Sequence, residues 1–107
     1  MSTGPNLQEW NFQSVAVMQA MLGMLSQNFR RVTLSHDGSQ WLVDFVLERE
    51  DAEDREEIED FETEWDALQS GPVRREVRTI VESGPLSLSV WPTRGLYQRR
   101  EAVAQRD

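Results

Sequence analysis

The chain of 107 residues contains no cysteine, no lysine and a single histidine, His36. Without cysteine there are no disulfides, no thiolate zinc sites and no cysteine nucleophile, a composition that suits a reducing cytoplasm. A lone histidine beside a turn has no second His or Cys with which to complete a metal site or a catalytic pair. The six glycines are scattered rather than gathered into a phosphate-cradling loop, which argues against nucleotide binding. No window approaches the roughly 18 apolar residues of a membrane helix, and the N-terminus lacks a basic patch ahead of an apolar run. A cytoplasmic protein with no membrane partner is therefore expected. Cations are few, 11 against 19 acids for a formal charge of −8, and this balance argues against direct contact with nucleic acid.

What is present is enough for one core. With 38% hydrophobic and 28% charged residues, four Trp and four Phe, the composition is that of a folded domain rather than a solvated chain. A single domain over 1–107 is expected, with residues 1–5 and 102–107 as frayed ends.

Charge is distributed unevenly. Residues 1–47 carry three acids and two bases, residues 48–66 twelve acids and two bases, and residues 67–107 four acids and seven bases. The acidic excess thus lies in one stretch of nineteen residues with net charge −10. All eleven cations are Arg, which either a GC-rich genome or selection for planar, bidentate ion pairs would explain.

Periodicity places the elements. Asn6 followed by Glu9 resembles a weakened capping box, so a first helix starts there or at Asn11, and Val15, Met18, Met21, Leu22 and Leu25 form its apolar stripe, closed by Asn28. Residues 29–36 then alternate, Asp37-Gly38 signals a hairpin with a type I′ turn, and residues 40–47 return with Trp41, Val43, Phe45 and Leu47 on one face. The acidic stretch is a second helix: Asp51 can cap it, Ile58, Phe61, Trp65 and Leu68 recur at helical spacing, and Ser70-Gly71-Pro72 ends it. A strand follows over 73–82, then one or two short strands around 86–90 and 96–100. The expected fold is α+β, in the order α-β-β-α-β-(β)-(β), with two helices on one face of a small, mainly antiparallel sheet of three to five strands and the third strand beside the first.

The second helix carries the functional signal. Its carboxylates radiate from a ridge rather than converge in a cleft, and it lacks the alternating ligands and central glycine of an EF-hand loop, so no enzyme, metal site or cofactor is expected. Two readings of the ridge stand: a solvated face that keeps a small protein soluble, and an interface for a basic surface. Like charges three and four apart destabilise a helix by a few tenths of a kcal/mol per pair, a cost that favours the second. On that reading Glu56, Glu59, Asp60, Glu62 and Asp66 meet partner cations, and Trp10 and Trp91, outside the core stripes, anchor the contact.

In size, acidity, lack of cysteine and mixed α/β pattern the chain resembles the small acidic immunity proteins of bacterial polymorphic and contact-dependent toxin systems. The resemblance rests on residues 22–32 and, more strongly, on 45–60, within a span of about 15–101. It implies a protein that binds one cognate toxin domain, covers its active site or substrate groove and protects the producing cell, as a monomer or weak homodimer. No family site residues carry over. The alternative of another class is a small acidic secretion chaperone, a dimer that presents an apolar groove to an exported effector; a nucleic-acid mimic would use the same ridge.

Overall fold

A computed structural model describes residues 4–87 and 92–101 of the chain. The expected frayed termini, apart from Gly4 and Pro5, and the residues 88–91 with Trp91 lie outside the described residues. The elements are α1 (Leu7–Ala20), β1 (Phe29–His36), β2 (Trp41–Leu47), α2 (Ala52–Ala67), β3 (Arg75–Val81) and β4 (Thr93–Gln98). This is an α+β fold of two helices and a four-stranded mixed sheet in the order β3-β2-β1-β4.

Helix α1 begins on a complete capping box: Asn6 Oδ1 accepts from Glu9 N at 2.8 Å, and Asn6 N donates to Glu9 Oε1 at 2.9 Å. It ends earlier than Asn28, at a cap on Met21, because Gly23 takes the left-handed conformation (φ 79°) that turns the chain away. Its phase also differs from the expected stripe. Gln13, Ser14, Ala16 and Val17 face inward with Met21, whereas Val15, Met18 and Leu22 are exposed. A helix apolar on most of its circumference offers two competing faces, and the close approach to the sheet selects the one with small residues. The two inward polar side chains are satisfied, Ser14 Oγ by donating to Trp10 O and Gln13 by bonds to Trp65 of α2 and to Gln69 just beyond it.

The β1–β2 hairpin is as expected except at its tip. Only Gly38 has positive φ (100°), so the turn is not type I′, which requires it at both central residues. Instead, Asp37 Oδ1 accepts from Ser39 N and Gln40 N, both at 2.9 Å, and the loop closes with Asp37 N donating to Gln40 O.

Strand β3 pairs with β2, in parallel, rather than beside β1; that edge is taken by β4, antiparallel to β1. A helix connecting two parallel strands returns the chain to the strand it left, and here the link after α2 reaches no further than β2. The sheet is therefore mixed. Strands β3 and β4 occupy opposite edges, and β4 starts at the end where β3 also starts; of the residues after β3, those up to Ser87 lie against the back of the sheet. Arg31, on that back, donates to Ser87 O, and Arg30 donates to Glu82 O and Gly84 O. Leu42 and Val46 on β2 are buried on this side. Of the expected strand at 86–90, the described residues Leu86 and Ser87 are not in a strand.

Both helices lie on the other face. There Val17, Met21 and Met24 meet Phe29, Val32, Leu34, Trp41, Val43, Phe45 and Leu47 of the hairpin and Ile58, Phe61 and Trp65 of α2. Phe45 packs edge-on against Phe29 and Phe61 with centroids 5.8 and 4.9 Å apart, an arrangement favoured by the ring quadrupoles. No helix among the described residues is long and apolar enough to cross a membrane.

Candidate functional surface

Helix α2 starts where Asp51 Oδ1 accepts from Asp54 N at 2.9 Å, and its inward residues follow at spacings of four, three and four: Asp54, Ile58, Phe61 and Trp65. Three large apolar side chains on one stripe settle which way the helix faces. Asp54 is the exception in chemistry. It is buried at the bottom of the helical layer, where its carboxylate accepts from Ser26 Oγ at 2.9 Å and Asn28 Nδ2 at 2.9 Å. Asn28 also donates to Arg49 O and accepts from Arg49 N, so this cluster ties the α1–β1 link to the start of α2. In the sequence Asp54 is one acid among twelve; the signal that separates it is its place four residues before Ile58 on the inward stripe.

The outward face carries the rest. Arg55, the one cation of α2, is engaged by Glu50 through bonds of 2.6 and 2.7 Å, which also hold the Glu50 carboxyl below its ordinary pKa. At the other end Asp66 pairs with Arg75 of β3, whose guanidinium lies over the Trp65 ring 5.1 Å from its centroid. Between these pairs stand seven exposed carboxylates, Glu53, Glu56, Glu57, Glu59, Asp60, Glu62 and Glu64, with no ion-pair partner among the described residues. Acids in the first turn complement the positive end of the macrodipole, but Glu62 and Glu64 sit towards the negative end, and the last turn has no cation. Helix stability does not account for this arrangement.

The Asp66–Arg75 pair orients the ridge. Asp66, Glu62 and Glu59 lie on the flank towards β3, so Glu53, Glu57, Asp60 and Glu64, on the opposite flank at helical spacing, turn towards α1. Glu53, Glu57 and Glu64 were absent from the set expected from the sequence, because the apolar stripe alone does not say which flank faces the neighbouring helix. Trp10 does not join the ridge. It is half-buried on the inner side of α1, edge-on to Trp41 with centroids 4.9 Å apart, and Arg94 covers its ring at 5.3 Å. Trp91 lies outside the described residues.

A second polar region, a groove of about 420 Å³ at the lower end of the sheet, is lined by Gln27, Asn28, Glu48, Arg49, Arg99 and Arg100. Arg99 is engaged there by Glu48 at 2.8 Å and Glu101 at 3.0 Å. Arg30 also binds Glu101, and the two guanidiniums hold that carboxyl down to about 2. Arg30, Arg99, Glu48 and Glu101 are thus paired with one another within the fold. Among the described residues no group of three or more His, Asp or Glu side chains is placed to hold a metal ion.

The sequence model of the MafI2 immunity protein family matches residues 13–101, from the middle of α1 to the end of the β4 segment. The chain belongs to the MafI2 immunity protein family. No curated protein matches it. Membership in MafI2 places the chain among proteins that provide immunity in toxin systems, in agreement with the resemblance carried by residues 22–32 and 45–60. The match covers the whole of α2, so the unpaired carboxylates stand within the MafI2 region rather than in an appended segment.

Proposed function

We propose that this MafI2 protein neutralises one cognate toxin domain in the cytoplasm of the producing cell by laying the outer face of α2 on a basic surface of the toxin, covering its active site or substrate groove. It acts by occupancy, as a monomer, and needs no catalytic group or cofactor. The observation that carries this reading is the row of seven carboxylates without ion-pair partners among the described residues, held on a helix whose inner face is locked in the core. Such a surface attracts cations over the Debye length of about 8 Å at physiological salt, raises association rates and supplies acceptors for Arg or Lys on contact. A toxin that acts on nucleic acid would offer a phosphate-binding groove of the complementary sign.

The test uses the toxin domain that the wild-type chain neutralises in co-expression, purified in a catalytically silent form. Reversing Glu56, Glu59, Asp60 and Glu62 together to Lys leaves the circular dichroism spectrum unchanged and lowers the association rate constant at low salt on the order of tenfold or more. The steep salt dependence of the wild type is lost with it. An association rate with wild-type magnitude and salt slope would reduce the ridge to a solvated face. Isolation of the chain as a dimer around an extended effector segment would point to a secretion chaperone.

A further inference from the structure

Beside the carboxylate ridge, α1 and the turn after it expose a row of large apolar side chains: Phe12 is 47% exposed, Val15 57% and Leu22 78%, flanked by Met18 and Leu7. At 100° per residue Phe12 and Val15 lie about 60° apart on the side of the helix away from the sheet, and Leu22 follows in the turn just past the cap at Met21. Two contacts fix that orientation. Gln13 faces α2, bonded to Trp65 Nε1 and Gln69, and Asn11 and Ser14 face β4, bonded to Arg94. Phe12 opens onto a groove of about 300 Å³ with Gln69, Ser70 and Val73, where the two helices meet. The apolar row therefore lies alongside Glu57, Asp60 and Glu64, and the two form one continuous outer surface of the helical layer.

We propose that this composite surface is the recognition face, with the α1 row seating an apolar patch of the toxin domain while Glu57, Asp60 and Glu64 engage Arg or Lys at the border of that patch. The inference rests on the reading of α2 given above and adds the element that reading lacks, a source of buried apolar area. Charge identifies the occupant. A second copy of this chain docked on the row would bring two sets of unpaired carboxylates together in a partly desolvated contact, which is unfavourable, whereas an apolar patch rimmed by cations satisfies both halves of the surface. The arrangement matches that of protein interfaces generally, an apolar centre with a charged rim.

Three measurements test it, with the silenced toxin domain as probe. The double variant Val15→Gln/Leu22→Gln alters exposed positions and keeps its thermal midpoint; it is expected to bind about tenfold or more weaker, as for loss of central apolar contacts, with the salt slope unchanged. The triple variant Glu57→Gln/Asp60→Asn/Glu64→Gln is expected to lose affinity and flatten the salt slope. The free wild-type chain is expected to sediment as a monomer. If the apolar variant binds as wild type while the neutralised one does not, the apolar row is overturned and the acidic reading stands; if neither variant loses affinity, both fall. Sedimentation of the wild type as a dimer that Val15→Gln/Leu22→Gln dissociates would also overturn the proposal, assigning the row to self-association.

Discussion

Replacement of Trp65 by Ala tests the orientation of α2 and, with it, the position of every carboxylate on the opposite face. Trp65 is fully buried, its ring lies 5.7 Å from that of Phe61 and beneath the Arg75 guanidinium, and its Nε1 donates to Gln13 Oε1 at 2.9 Å. Truncation removes the indole from a site walled by the sheet and both helices, where strands cannot close the cavity, and is expected to cost about 3–5 kcal/mol. Trp65→Phe separates the two contributions. It keeps a ring but drops the bond to Gln13; because Gln13 Oε1 still accepts from Gln69 Nε2 at 3.1 Å, it is not orphaned, and the loss is expected at about 1–2 kcal/mol. Urea unfolding followed by far-ultraviolet circular dichroism measures both by linear extrapolation, avoiding the fluorescence of the other tryptophans. In a domain of this size the Ala variant should melt at least about 12 °C lower. A loss below about 1.5 kcal/mol for Trp65→Ala, with the denaturant slope unchanged, would mean that the indole is not enclosed. The inner face of α2 would then be elsewhere and the carboxylate ridge would be rotated with it.

Asp54→Ala should cost about 1–3 kcal/mol in the same assay, because Ser26 Oγ loses its acceptor and Asn28 Nδ2 keeps only Arg49 O; a neutral effect would remove the buried cluster as the link between the α1–β1 segment and α2. Glu101 gives a pH prediction. Its carboxyl is held near 2 by Arg30 and Arg99 against an ordinary value of 4.5, so its contribution is complete above 4.5 and is lost as pH falls from there towards 2. Glu101→Gln should therefore flatten the stability profile of the wild type over that interval, as measured by urea midpoints at stepped pH, and an unchanged difference between the two proteins across it would refute the pairing.

How far the sequence carried the reading is clearest by comparing the two helices. In α2, Ile58, Phe61 and Trp65 are large, spaced at three and four, and surrounded by acids, so only one orientation is open, and the pattern identified both the core face and the ridge. In α1, apolar residues occupy most of the circumference, and periodicity selected Val15, Met18 and Leu22, the side that the fold leaves outside. What decides there is what the sheet can accept: Ala16, Val17 and Ser14 allow close approach, and Trp65 and Arg94 from distant parts of the chain satisfy Gln13 and Ser14. Trp10 was misplaced for the same reason, since its partners Trp41 and Arg94 are 31 and 84 residues away along the chain.

By itself the sequence determined the α+β class, the element order, the hairpin, the inward stripe of α2 and the concentration of negative charge on its other face. These follow from local periodicity, turn chemistry and composition, which need no knowledge of neighbours. Only the tertiary structure decided that β3 lies parallel to β2, that β4 takes the free edge of β1, that Asp54 is withdrawn from the acidic run into a buried cluster, and that Phe12, Val15 and Leu22 are left exposed. The reason is one of range. Period and charge are properties of a segment, whereas strand neighbours, the burial of one acid among twelve and the choice of the buried face of α1 depend on residues that the sheet brings together from far apart in the chain.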